Sequence, residues 1–170
     1  EASFSLATTG GLLGAATANT TASVPDYRTL NFQSGIAEDT LLYGSIRQAD
    51  WSNHQVAVAP QTQAAPTSDF SDSTTYTIGI GRKISDQWSA TISYKTEEAT
   101  DNTGTSLLSP TDGYEAVGAA AIYTLENGTE ITVGVNYSML GDKTITTSGV
   151  SGLYSDNTVV TSGIKVAYNF

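Results

Sequence analysis

Val159-Val160-Thr161-Ser162-Gly163-Ile164-Lys165-Val166-Ala167-Tyr168-Asn169-Phe170 closes the chain. At period two, one face is Val160, Ile164, Val166, Tyr168 and Phe170, interrupted only by Ser162. The other face is Val159, Thr161, Gly163, Lys165, Ala167 and Asn169. A strand that is apolar on one face, small and polar on the other, and ends on an aromatic residue is what the closing strand of an outer-membrane β-barrel is expected to look like. There the apolar face meets lipid and the polar face meets a wet or tightly packed lumen.

The same alternation recurs upstream, and helical periodicity is nearly absent. Thr74 to Lys83 sets Tyr76, Ile78 and Ile80 against Thr75, Thr77, Gly79 and Gly81. Trp88 to Glu97 sets Trp88, Ala90, Ile92 and Tyr94 against Ser89, Thr91, Ser93 and Lys95. Thr129 to Met139 sets Ile131, Val133, Val135, Tyr137 and Met139 against Thr132, Gly134, Asn136 and Ser138. Leu30, Phe32 and Ile36 alternate with Asn31, Gln33 and Gly35; Leu42, Gly44 and Ile46 alternate with Tyr43, Ser45 and Arg47. Gly113 to Leu125 is an Ala-rich strand whose phase the sequence leaves open, and Ala2 to Thr9 is a first strand.

The connections alternate in length. Ala37-Glu38-Asp39, Ser85-Asp86-Gln87 and Glu126-Asn127-Gly128 are tight, the last an Asn-Gly hairpin signal. Gly10–Pro25, Ala59–Ser73, Ala99–Asp112 and Asp142–Asn157 are long and rich in Ser, Thr, Gly, Asp and Pro. Short turns at the periplasmic end and long loops outside are the rule of an up-and-down membrane barrel. The expected fold is therefore all-β: an antiparallel transmembrane barrel with about eight strands, provided Asp39 to Val58 is one long strand bent near Trp51. Both termini then lie on the periplasmic side, and residues 1–170 form a single barrel domain.

Charge placement agrees. A cation facing mid-bilayer lipid costs about 2–4 kcal/mol. Arg47, Lys95 and Lys165 fall on the polar phase, while Arg28 and Arg82 share the apolar phase at strand ends. Trp88, Tyr94, Tyr137, Tyr168 and Phe170 fall near strand ends, where aromatic girdles belong. Net charge is −10, from 7 Lys and Arg against 17 Asp and Glu, which argues against nucleic-acid binding. With no cysteine, neither disulfides nor thiolate metal sites arise.

Several segments together resemble the C-terminal part of FadL-type outer-membrane transporters of long-chain fatty acids and other hydrophobic compounds. They are Val24-Pro25-Asp26, Leu30-Asn31-Phe32-Gln33-Ser34-Gly35-Ile36, Leu41-Leu42-Tyr43-Gly44-Ser45-Ile46-Arg47 and Ala49-Asp50-Trp51-Ser52. Tyr76-Thr77-Ile78-Gly79-Ile80-Gly81-Arg82, the Ser85-Asp86-Gln87-Trp88-Ser89 turn, Gly134-Val135-Asn136-Tyr137 and Ala167-Tyr168-Asn169-Phe170 complete the series. The resemblance implies a fourteen-stranded barrel plugged by an N-terminal hatch, of which this chain supplies the later strands. It also implies passive transport of hydrophobic molecules across the outer membrane of a Gram-negative bacterium. The alternative is a small eight-stranded structural or adhesive barrel, which its own side chains would fill. The expected partners are outer-membrane lipid, lipopolysaccharide and a hydrophobic ligand, with Phe170 as the contact for barrel-assembly machinery.

Candidate chemistry is sparse. His54 is the single histidine, and the nearby Asp50 and Ser52 match no triad spacing, so no catalytic residue and no cofactor is assigned. Asp69, Asp72, Asp101, Asp112, Asp142 and Asp156 fall in or beside the long loops without the spaced pattern of a calcium loop, and read as solvated charge. Ligand-path candidates are Tyr43, Arg47, Lys95 and Lys165 on the polar phase, whose cations would steer a carboxylate past Phe70, Leu107, Leu108 and Leu153. The competing reading, which the cost of unpaired charge favours, pairs the cations with Glu97, Glu115 and Glu130.

Overall fold

The computed structural model describes residues 2–11, 14–22, 24–60, 68–101 and 103–168, with side chains described for 24–56, 68–101 and 103–168. Phe170, the expected assembly contact, lies outside the described residues. Thirteen strands are described: β1 (Ala2–Gly11), β2 (Gly14–Ala22), β3 (Tyr27–Ala37), β4 (Thr40–Ala49), β5 (Ala57–Pro60), β6 (Ser73–Lys83) and β7 (Trp88–Glu97), then β8 (Thr103–Gly104), β9 (Tyr114–Thr124), β10 (Glu130–Leu140), β11 (Lys143–Thr147), β12 (Val150–Tyr154) and β13 (Thr158–Ala167).

Seven of them form one antiparallel sheet in the order β13-β10-β9-β7-β6-β4-β3. Every neighbour in that sheet is also the next of these strands along the chain, so the topology is a plain up-and-down meander. Its tight turns gather at one end. Asp39 takes φ 55° and Gly128 takes φ 82°, as left-handed turn positions require. The turn at 85–88 is closed by Ser85 Oγ, which accepts from the backbone N–H groups of Gln87 and Trp88.

The pairing register carries the alternation across the whole sheet. One face links Leu42, Ile80, Ile92, Ala119 and Val135 in a continuous row. The next row on that face links Ile78, Tyr94, Val117, Tyr137 and Val160. These rows fix the phase of β9, which composition alone left open. The opposite face links Gly35, Leu41, Gly81, Thr91, Ala120, Gly134 and Gly163. Beside it runs Gln33, Tyr43, Gly79, Ser93, Gly118, Asn136 and Thr161.

Burial is the reverse of a water-soluble sheet. Ile78, Val133 and Val135 are 50%, 51% and 50% exposed, whereas Thr75 on the polar face is 8% exposed. Among the described residues only Ala49, Ala116 and Ile145 form a buried apolar set. Exposing this many large apolar side chains to water would be strongly unfavourable at about 25 cal/mol per Å². Contact with hydrocarbon removes that cost, so the apolar face is the outer, lipid-facing wall. Trp88 and Tyr123 stack at 4.8 Å on it at the turn end, where an interfacial girdle belongs.

Three expectations need correction. All eight expected strand segments contain strand, but Ala2–Gly11 is not in the barrel sheet: it pairs with β2, which pairs with β5, in a separate three-stranded sheet. Ala2 opposes Ala22, shortly before β3 begins, so this end of the chain lies at the loop end and not at the turn end, the expected place beside the other terminus. Asp39 to Val58 is not one bent strand. β4 stops at Ala49, because Asp50 turns its carboxylate onto Asn53 Nδ2 at 2.8 and 2.9 Å, and the His54 N–H closes onto the Trp51 carbonyl at 3.0 Å. Gln55 Nε2 also donates to the Trp51 and Ser52 carbonyls, and side chains that bond their own backbone neighbourhood break a ladder in this way. The long loop Asp142–Asn157 likewise contains the hairpin β11–β12, turned by Ser148 (φ 51°) and Gly149 (φ 78°). β11 takes β8 as a short parallel partner.

Candidate functional site

The inner face divides into three zones along the barrel axis. At the loop end sit Arg47, Thr75, Glu97 and Tyr114, linked across neighbouring strands. The middle is the lane described above, built mostly of Gly, Ala, Ser and Thr with Leu41, Gln33, Tyr43 and Asn136 among them. Lys165, opposite Thr132, marks the turn end.

The four ligand-path candidates do not converge. Tyr43 lies flat on the wall: a Cβ at Gly79 would stand 2.3 Å from the ring carbon that carries its hydroxyl. Its hydroxyl reaches Thr91 Oγ1 at 2.7 Å. Thr91 itself donates to the Ile80 carbonyl at 3.0 Å, so Tyr43 is the donor of the pair. Arg47 rests over the Tyr27 ring at 4.6 Å, and Lys95 over the Tyr114 ring at 5.1 Å. Lys165 lies six residues along β10 from the Lys95 level, roughly 20 Å at about 3.3 Å per residue.

Nor is the expected cation–carboxylate network formed. Among the described residues none of Arg47, Lys95 and Lys165 is within ion-pair distance of an acid; the ion pair seen is Lys83–Asp86, at 2.8 Å in a turn. Glu97 accepts instead from Thr75 Oγ1 at 2.7 Å. Glu115 pairs opposite Met139 and Thr96, on the lipid-facing phase, and so cannot serve the lumen. An aromatic face replaces the carboxylate for Arg47 and Lys95, which holds a cation without a matching buried charge.

The loop acids are structural acceptors more than solvated charge. Asp112, which is buried, accepts from the N–H and Oγ1 of Thr100 at 2.9 and 3.2 Å and from the Asp101 N–H at 2.7 Å. Asp101 accepts from Thr103 Oγ1 and N–H, and with the nearby Lys143 these hold its carboxyl below the usual range. Asp72 is lowered likewise, mainly by the Ser52 N–H at 2.8 Å. Asp69 Oδ2 gathers the N–H groups of Thr105 and Ser106. Gly104 makes room between this carboxylate and the Lys143 stem, since a Cβ there would lie 2.9 Å from Asp69 Oδ2 and 2.7 Å from Lys143 Cε. No group of three or more His, Cys, Asp or Glu side chains placed to hold a metal ion occurs among the described residues.

Of the loop apolar residues, Phe70 packs edge-on against Trp51, with ring centroids 5.5 Å apart, while Leu107, Leu108 and Leu153 are exposed. The sequence signalled neither this pair nor the Tyr43–Gly79 contact. Each joins residues that only the strand register or the loop fold brings together.

No protein-family model matches the chain, and no curated protein matches it. Among solved structures, the crystal structure of a Pseudomonas aeruginosa FadL homologue superposes on 90% of the chain with a TM-score of 0.70 at 18% sequence identity. The chain has a FadL-type fold. It covers 36% of that protein's length, so the match concerns part of a FadL-type barrel. The seven-stranded meander, the aromatic girdle and the inner glycine lane are thus the wall of such a barrel.

Proposed function

We propose that this chain is part of the wall of a bacterial outer-membrane channel for passive transport of hydrophobic molecules, the class that includes long-chain fatty acids. The observation that carries the proposal is the inverted wall: large apolar side chains outside, and an inner lane mostly of Gly, Ala, Ser and Thr. Such a lane leaves space next to the wall. Around Thr132, Asn136, Gly163 and Lys165 the inner face is recessed by about 540 Å³, within the usual range of small-molecule sites.

The strand directions also favour a wide barrel over a small closed one. β3 and β13 form the two edges of the sheet, and both run from the loop end to the turn end. Pairing them directly would be parallel, and an exposed edge does not survive in lipid. An odd number of further strands closes the barrel antiparallel on both sides.

Uptake of a radiolabelled neutral hydrophobic compound, a long-chain alkane, by cells that make the full-length protein as their one such channel tests the proposal. A Cβ at Gly163 meets nothing within 4 Å, so Gly163→Trp is the substitution that narrows the lane from an open position. Uptake is expected to fall about tenfold while the barrel still assembles, and Val135→Trp on the lipid face leaves it unchanged. Undiminished uptake through a folded Gly163→Trp barrel rejects the channel role of this wall.

A further inference from the structure

The outer loops fold back over the wall. Glu97 and Tyr114 belong to the inner face of the sheet, yet they line the same pocket, of about 250 Å³, as Trp51, Phe70 and Lys143 from the loops.

Among the residues that line it, acids outnumber cations four to one, with Arg47 and Lys95 held on tyrosine faces just inside. Asp72, Glu97, Glu98 and Asp112 line it against the single cation Lys143, which is 4% exposed and donates to Ser109 Oγ at 3.5 Å. Nearby loop positions add Asp50, Asp69, Asp101, Asp142 and Asp156, and no further Lys or Arg occurs in residues 50–72, 98–113 or 141–157. A concave mouth lined by one sign of charge concentrates the opposite sign and repels its own. A carboxylate approaching here is opposed.

Aromatic rings supply the second half of the recognition. Trp51 and Phe70 meet at 65°, forming the corner of an aromatic box. Just inside, Tyr27 and Tyr114 already carry the cations Arg47 and Lys95 on their faces. Ring faces backed by carboxylates are the chemistry that holds an organic cation. We propose that this pocket is a binding station for hydrophobic organic cations, such as an aryl quaternary ammonium or a protonated aryl amine, in preference to carboxylates. The proposal rests on the channel reading and narrows the substrate class at its mouth.

Benzyltrimethylammonium and phenylacetate share a ring and differ in charge. Calorimetric titration of both into the full-length protein in lipid nanodiscs is the test. The ammonium is expected to bind at least about tenfold more tightly at low salt, with the preference shrinking as salt rises. Trp51→Leu should remove most of it. Because that change also strips Phe70 of its partner, the double variant Asp72→Asn, Glu98→Gln serves as the second arm. It keeps the shapes of both side chains and should weaken the ammonium several-fold while leaving phenylacetate no weaker. Equal affinities in the parent protein, or an ammonium affinity untouched in both variants, overturn the proposal. The channel reading is scored separately with the neutral alkane: alkane uptake blocked by Gly163→Trp, together with no ammonium preference, rejects the cation station alone. A clear ammonium preference with no uptake rejects the channel alone.

Discussion

Gly79 has no side chain because Tyr43 occupies the place where one would stand. Its virtual Cβ lies 2.3 Å from the Tyr43 ring, so Gly79→Ala must swing the ring away and break the 2.7 Å bond to Thr91. The expected cost is about 1–2 kcal/mol, the sum of a lost hydrogen bond and local overpacking. In a Tyr43→Ala background the ring is already gone, so Gly79→Ala should cost far less. Urea unfolding of the four barrels in liposomes measures this coupling, and strict additivity would contradict the contact. A second residue-scale expectation concerns Asp101 in the outer loops. Its carboxyl lies below the ordinary value of 3.8 when folded, because Thr103 and Lys143 favour the anion. The stabilisation is therefore present above that ordinary value and is lost as pH falls through the folded value. Protease cleavage within residues 98–106 should rise between about pH 5 and about pH 3 and stay flat between about pH 5 and pH 8. Unchanged loop cleavage across the acid range would show that these bonds do not hold the loop.

For the strands, one substitution reads the phase and another the width of the lumen. Val133 lies on the outer row between Ala121 and Ile164, near the middle of β10. Val133→Arg should cost about 2–4 kcal/mol of barrel stability in a bilayer. Asn136 faces inward, donating to Ser138 Oγ at 2.8 Å, and Asn136→Arg should cost less if the lumen is wide and wet. Tryptophan-monitored unfolding in liposomes compares them; a Val133→Arg barrel as stable as the parent means the assigned phase is wrong. The strands were legible because lipid on one side and a small-residue lumen on the other impose strict alternation, as in Ile131, Val133 and Val135. β2 was not, because Gly14-Ala15-Ala16-Thr17-Ala18-Asn19-Thr20-Thr21-Ala22 has no large apolar residue to mark a face. The end of β4 was hidden for a different reason. Asp50 stops the strand through side-chain bonds to Ser52 and Asn53, whereas composition alone allows a strand to continue. Tyr43, Arg47, Lys95 and Lys165 were placed on the correct face by period two. Their partners were not legible, since Tyr27 and Tyr114 meet Arg47 and Lys95 only through neighbouring strands.

At the scale of the whole molecule the governing fact is parity. An up-and-down sheet of seven strands has edges that run the same way, so it cannot close on itself with antiparallel pairs alone. If the chain did close alone, β3 and β13 would become a parallel seam. Closure staggers the register around a barrel by several residues, so the seam partners of inner β13 positions such as Gly163 and Lys165 would lie displaced along β3 from their own row. A wider barrel inserts other strands between them and holds them apart across the lumen. Cysteine pairs distinguish the two arrangements in the full-length protein folded in lipid. Gln33→Cys with Tyr43→Cys, opposed on adjacent strands, should form a disulfide under mild oxidation and serves as the positive control. Gly163→Cys and Lys165→Cys, each combined in turn with Tyr27→Cys, Thr29→Cys, Asn31→Cys and Gln33→Cys so that the possible staggers of the seam are scanned, should not, since a disulfide bridges Cα atoms no more than about 7 Å apart. Efficient cross-linking of any seam pair would mean that the barrel closes on these seven strands, leaving a lumen filled by its own side chains and no path for a hydrophobic molecule.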